Sequence, residues 1–153
     1  MGDAYTYTIG GAADWSIISD ERFKTDISES VPGLAFITKL RPVTYRKDWP
    51  AINSFFNIPQ EEIEQMKDIV AARPMQSGFL AQEVCQAAKE AGYDFEGVIK
   101  PANSSDYYRL RYGLFVVPLV KAVQELSEQN EALRKENEEI RKRLEELEKK
   151  VGR

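Results

Sequence analysis

The chain contains no histidine and a single cysteine, Cys85, among its 153 residues. Without histidine the common zinc ligand sets cannot be built, and one cysteine excludes a framework of intrachain disulfides. We therefore expect no metal and no cofactor. Any chemistry must use serine, lysine, tyrosine or carboxylate side chains.

Long apolar runs are also missing, since no stretch approaches the roughly 20 apolar residues needed to cross a bilayer. The N-terminal run MGDAYTYTIGGAADWS lacks the basic and apolar regions of a secretory signal. The net charge of −4 disfavours a nucleic-acid binder, because such proteins usually carry a basic face. These absences predict that neither a membrane nor nucleic acid is a partner.

The composition changes along the chain, with the charged residues crowded into the last third. Residues 4–18 are rich in aromatic and β-branched residues around Gly10-Gly11, which predicts two short strands and a turn. We expect residues 1–18 to be the end of an upstream β-rich client, so that the chain is the tail of a longer protein. Residues 19–115 then form a small α+β domain, and residues 116–153 form a long helix.

Within the mixed domain the patterns predict both strands and helices. The runs LAFITKL at 34–40 and VTYRK at 43–47 are typical of strands. Helical spacing predicts a helix between Pro59, which suits a first turn, and Pro74, which stops it. A second helix is predicted over residues 79–91, ended by Gly92.

The last third carries a heptad repeat, in which core residues alternate at spacings of three and four. Such a seam leaves apolar side chains in water unless helices associate, so the pattern predicts a coiled coil. The seam residues are Val116, Leu119, Val123, Leu126, Asn130, Leu133, Asn137, Ile140, Leu144, Leu147 and Val151.

Charges beside the seam favour parallel helices. A g residue of one chain then faces the e residue five positions on in its neighbour, which pairs Glu136 with Arg141 and Arg143 with Glu148. The two seam asparagines penalise slipped registers, because an asparagine that faces an apolar layer has no hydrogen-bond partner.

Packing alone does not decide between two and three strands. The run RLEELE at 143–148 resembles the pattern of an arginine, two spaced apolar residues and a glutamate that is known from trimeric coiled coils. We therefore predict a homotrimer. A leucine-zipper transcription factor would need a basic helix before the heptads, and SSDYYRLRYGLFVVP does not supply one.

A motif near the N-terminus, SDERFKTDI at 19–27, resembles the start of the S74 peptidase family, the intramolecular chaperone domain of phage endosialidase tailspikes and related fibre proteins. Further segments are similar to the same family: LRPVTYRKD at 40–48, GFLAQEV at 78–84 and YRLRYGLFVVPLVKAVQEL at 108–126. The resemblance implies a catalytic dyad of Ser19 and Lys24, with cleavage between Ser19 and Asp20.

The chemistry of such a dyad sets two conditions. Serine is a poor nucleophile without a base, and lysine acts as a base only where desolvation or nearby cations favour its neutral form. A spacing of five places two side chains together on neither a helix nor a strand, so a turn or a contact across chains is needed.

The bond that is cut stays open between two positions. Attack by Ser19 on its own carbonyl would close a strained four-membered ring, whereas attack on the Ile18 carbonyl closes a five-membered one. A cut at Ser19-Asp20 would therefore use a neighbouring chain's hydroxyl or an activated water. We predict Ser19-Asp20, as the resemblance implies, with Ile18-Ser19 as the alternative.

A structural interpretation of the same motif is that Ser19 caps a short helix, with Asp20 and Glu21 in its first turn. The chain would then be an uncleaved trimerisation tip of a fibre or adhesin. The resemblance instead implies a chaperone that trimerises, helps its upstream client to fold and releases itself. It further implies a phage tail-fibre precursor of the virion, assembled in the host cytoplasm.

Overall fold

A computed structural model describes residues 16–152. The strands predicted around Gly10-Gly11 lie outside these residues, and residues 16–18 carry no regular secondary structure. The prediction of a mixed domain followed by a long helix is confirmed. The elements in chain order are helix α1 (Leu34–Ile37), strand β1 (Val43–Tyr45), helices α2 (Trp49–Phe56) and α3 (Gln60–Ala71), strand β2 (Gln76–Gly78), helix α4 (Ala81–Glu90), strands β3 (Val98–Ile99) and β4 (Arg109–Leu110), and helix α5 (Val116–Val151).

The chain divides into two compact units. The first contains the residues up to Glu29 together with Pro42–Gly78, and the second contains Ser30–Arg41 together with the chain from Phe79 onward. The domain boundary predicted after residue 115 stays a prediction.

In the first unit, β1 and β2 form an antiparallel pair, and α2 and α3 lie between these two strands in the sequence. Helix α2 starts where the Asp48 carboxylate accepts a hydrogen bond from the backbone N–H of Ala51 at 3.0 Å. It ends at Asn57, whose φ of 52° lies in the left-handed region that asparagine tolerates.

Helix α3 confirms the helix that was predicted ahead of Pro74. Pro59 is its N-cap and not a residue of its first turn. No residue of α2 or α3 is fully buried, so the two helices present most of their surface to solvent within one chain.

The second unit contains the core, which is built from aromatic and small apolar side chains. Helix α4 confirms the predicted helix and is followed by Gly92 with a φ of 63°, the left-handed conformation that glycine adopts readily. The ring of Phe36 is completely buried, and its centre lies 4.9 Å from that of Phe95. The core residues are Phe36, Val84, Ala87, Ala88, Phe95 and Phe115.

Residues 34–40 were predicted as a strand, and this prediction is wrong. Residues 34–37 form the short helix α1, which places Phe36 in the core with Ile37 and Leu40 packed against it. Short apolar runs fit a buried helix as well as a strand, and packing decides between them.

Helix α1 lies directly on α5, whose Pro118 and Ala122 it helps to bury. Pro118 is tolerated there because the first N–H groups of a helix have no intrahelical partner. The Glu125 carboxylate accepts a hydrogen bond from the backbone N–H of Leu34 at 2.7 Å. It therefore supplies the capping bond that Gly33, the residue before α1, has no side chain to make.

The close approach of α1 to α5 leaves no room for a side chain at position 33. A Cβ atom there would lie 2.6 Å from the backbone nitrogen of Ala122 and 2.7 Å from Oε2 of Glu125. We predict that Gly33→Ala lowers the free energy of unfolding by about 1–3 kcal/mol, the usual cost of forced overpacking. Urea unfolding of the full chain measures the change. Gly113→Ala is the control, because a Cβ there meets no atom within 4 Å; equal stability of the two variants would contradict the contact.

Candidate functional site

A single turn of 3-10 helix, Glu21–Phe23, separates Ser19 from Lys24. Asp20 is the N-cap of this turn, and its Oδ1 accepts a hydrogen bond from the backbone N–H of Arg22 at 2.9 Å. The backbone N–H of Lys24 closes the turn by donating to the carbonyl of Glu21 at 3.0 Å. Asp20 therefore has the capping role that the structural interpretation assigned to Ser19.

The turn brings the two predicted catalytic side chains together. Nζ of Lys24 donates to Oγ of Ser19 at 2.8 Å, which is a normal distance for a charge-assisted hydrogen bond. If the amine is neutral, the same geometry lets it accept the hydroxyl proton of Ser19. The arrangement therefore satisfies the distance condition for a serine activated by a lysine, while the catalytic roles of both residues stay predictions.

The side chain of Asp20 is held by Arg22 beside the predicted scissile bond. Oδ2 accepts from Nη2 of Arg22 at 2.6 Å, and Oδ1 accepts from Nε at 3.0 Å. These hydrogen bonds lower the pKa of the Asp20 carboxyl and raise the pKa of Arg22. Asp20 therefore stays ionised at neutral pH, and its contacts fix the chain on the C-terminal side of Ser19.

The surroundings of the dyad are open to solvent within one chain. Ser19 and Lys24 are both exposed, as are all residues from 21 to 30. Apolar side chains on both sides of the dyad are uncovered as well: Ile18 is 82% exposed and Phe23 is 72% exposed. Within the described part of a single chain, Ser19 and Lys24 are therefore close to each other, but their side chains are little shielded from water.

All predicted seam residues lie on α5, and each of them is exposed in the single chain. The side-chain amides of the two seam asparagines turn back onto their own helix. Asn130 donates to the carbonyl of Leu126 at 2.8 Å, and Asn137 donates to that of Leu133 at 2.9 Å. The seam thus presents a continuous uncovered stripe that runs roughly 54 Å at about 1.5 Å per residue.

One cavity was not predicted from the sequence. It has a volume of about 320 Å³, lies in the first unit, and is bordered by Arg46, Lys47, Trp49 and Arg73. The guanidinium of Arg73 lies 4.5 Å from the centre of the Trp49 ring. Neither Ser19 nor Lys24 lines the cavity, so it is separate from the dyad.

The described residues, 16–152, hold neither a metal-binding cluster nor a membrane-spanning helix. These residues contain no group of three or more cysteine or acidic side chains placed to hold a metal ion. Within the same range, no helix combines the length and the apolar character that a membrane span needs.

Comparison with known proteins gives one match. No curated protein and no solved structure matches the chain. A family model does: that of peptidase S74, described as the chaperone of endosialidase, matches residues 19–93. The match begins at Ser19 and includes Lys24 and helices α1 to α4, whereas α5 and its seam follow it. Residues 19–93 of this chain are therefore similar to the peptidase S74 family, the chaperone of endosialidase.

Proposed function

We propose that this chain is a C-terminal intramolecular chaperone that assembles as a trimer, helps an upstream β-rich client to fold and then cuts itself free. The observation that carries the proposal is the 2.8 Å hydrogen bond between Lys24 and Ser19 at the first residue of the family match. The family supplies the role of chaperone, and the dyad supplies a means of release.

The cutting step follows from the chemistry of serine and lysine. Neutral Lys24 removes the hydroxyl proton of Ser19, and Oγ attacks a peptide carbonyl carbon. The peptide C–N bond breaks as the ester forms, and the lysine returns the proton to the leaving nitrogen. Water then hydrolyses the ester, so the net reaction consumes one water and needs no cofactor.

The position of Ser19 allows this step at either of two carbonyls. At Ile18 the hydroxyl of the same chain closes a five-membered ring and yields an ester to Oγ. At Ser19-Asp20 the attack on the Ser19 carbonyl comes from a neighbouring chain's Ser19 or from a water that Lys24 activates. The Asp20–Arg22 contacts support the second site, because they hold the leaving side of that bond in place.

Assembly provides the condition that the single chain lacks. Burial of the apolar side chains that flank the dyad would withdraw water from Lys24, and desolvation favours the neutral amine that acts as a base. Cleavage is then gated by association of the chains. A chain that is still unassembled keeps its client attached.

The seam of α5 supports a parallel trimer. Each d-position leucine or isoleucine contributes about 1.5–3 kcal/mol when it is buried, and the seam is exposed along its whole length in one chain. Three client segments tethered side by side have a high effective concentration, which speeds the non-local and interchain pairings that β-rich fibres need. After the cut the fibre is kinetically trapped, because the trimeriser has gone.

This function fits a phage tail fibre or tailspike precursor that folds in the host cytoplasm, with the chaperone part released before or as the virion matures.

The uncleaved fibre tip is the second candidate. It is favoured by one observation, the solvent exposure of Lys24.

The intact mass of a chain that carries its upstream client separates the two candidates. We expect the folded protein to lose its full-length mass and give two fragments, the second of which starts at Asp20, or at Ser19 if the alternative bond is cut. Ser19→Ala is expected to stay uncut, and Ser16→Ala, three residues upstream, serves as the matched control. A folded protein that keeps its full-length mass would contradict self-cleavage and support the uncleaved fibre tip.

A further inference from the structure

Val117 and Val120 form an apolar patch on α5 beside the seam. They occupy the b and e positions of the first heptad and are 57% and 52% exposed. Every later b or e position is polar or charged: Gln124, Ser127, Glu131, Arg134, Glu138, Arg141, Glu145 and Glu148. The patch is therefore confined to one short stretch of the helix, and a seam built from a and d positions does not account for it.

The opposite flank of the same stretch is covered by α1 of its own chain. Pro118 and Ala122, at c and g positions, are buried, and Glu125, at the next c position, holds the backbone of Leu34 at 2.7 Å. The missing Cβ of Gly33 places the two backbones in direct contact. Helix α1 thus lies along the c and g flank of residues 118–125, level with the two valines.

Parallel coiled coils place the g flank of each helix against the e flank of the next one. Residues of equal number then lie at equal height. The groove between two helices therefore has α1 of one chain on one side and Val117 and Val120 of the neighbour on the other. The apolar b and e residues occur only in the stretch of α5 where α1 covers the c and g flank.

We propose that α1 of each copy docks against Val117 and Val120 of the next copy, so that α1 bridges two chains. This inference rests on the parallel assembly of the proposed function. Leu34 is half-buried and Ala35 is exposed in the single chain, so α1 keeps apolar surface for this contact. Because Phe36 of the same helix is completely buried in the core, the contact couples the folded state of the domain to correct assembly.

A pair of introduced cysteines tests the contact in the full chain. Val120→Cys is combined with Leu34→Cys, and in a second variant with Ala35→Cys, both in a Cys85→Ser background. Leu34 and Val120 lie on opposite flanks of α5, so a disulfide between them joins two copies. Under oxidising conditions we expect covalently linked dimers and trimers on a non-reducing gel from at least one variant. The control pairs the same α1 cysteine with Glu128→Cys, an outward f position, and is expected to stay monomeric on the gel.

A second measurement does not depend on disulfide geometry. The double variant Val117→Gln, Val120→Gln keeps good helix formers on α5 and removes the apolar patch. We expect it to raise the chain concentration at which the trimer half-dissociates by at least about tenfold.

The results of these experiments distinguish a failure of the proposed assembly from a failure of the α1 docking alone. Wild-type chain that light scattering shows to be monomeric overturns both the assembly and the docking. A wild-type trimer overturns the docking alone if the cysteine pairs link no better than the control and the double variant dissociates at the wild-type concentration.

Discussion

Replacing Lys24 by methionine in a chain that carries its client is expected to lower the rate of self-cleavage by a factor of about 10² to 10⁴, the usual contribution of a general base. Methionine keeps the length of the side chain and removes the amine that contacts Ser19 at 2.8 Å. The measurement is the fraction of uncut chain over time on denaturing gels. Cleavage of the methionine variant at the wild-type rate would contradict the role of Lys24.

Lys24→Arg separates a base from a hydrogen-bond donor. Arginine keeps the positive charge and can donate to Oγ of Ser19, but its guanidinium does not lose a proton in proteins. We therefore expect Lys24→Arg to be as slow as Lys24→Met. Lys100→Met is the matched control at an exposed lysine and is expected to cleave at the wild-type rate. An active arginine variant would show that Lys24 only positions the serine.

Leu133→Lys is expected to convert the proposed trimer to monomers at micromolar concentration. The substitution removes three leucines from one layer of the seam, each of which contributes about 1.5–3 kcal/mol when buried. It also brings three like charges together in a poorly solvated layer. Light scattering measures the mass of the assembly, and the same variant is expected to lose self-cleavage because Lys24 is no longer desolvated.

The matched control for this variant is Glu128→Lys, which places a lysine at an outward f position of the same helix. We expect the control to remain trimeric and to cleave normally. A Leu133→Lys chain that still has the mass of three copies would show that the seam is not the surface that joins them.

The helices with clear periodicity could be predicted from the sequence. Helices α3 and α4 lie where spacing, proline and glycine placed them, and α5 follows the heptads from Val116 to Val151. These elements are predictable because their signals are local. Their boundaries differ from the prediction by one to a few residues, since Pro59 caps α3 from outside its first turn.

Helix α1 could not be predicted in the same way. Its four residues are too few to show a period, and its position depends on Glu125, which lies 91 residues further along the chain and bonds to the backbone of Leu34. No local pattern indicates that Gly33 contacts another helix. Tertiary contacts, not local preference, determine this segment.

The sequence suggested the residues of the candidate site, whose catalytic roles stay predictions, but not their geometry. The family motif identified Ser19 and Lys24, while a spacing of five left open whether they meet within one chain. The answer depends on Asp20, which caps the turn between them and binds the side chain of Arg22. Aspartate and serine favour the start of a helical turn about equally, so the sequence alone did not decide which of the two caps it.

The most direct test of the proposed mechanism follows assembly and cleavage in the same samples while the client-bearing chain folds. Light scattering gives the mass of the assembly, and intact-mass measurement gives the uncut fraction, over a series of chain concentrations. We predict that cleavage next to Ser19 appears only as the mass reaches three chains, and that dilution below the trimer threshold stops it. Cleavage by monomers at the same rate, or a stable trimer whose chains stay uncut, would contradict a cut that is gated by assembly.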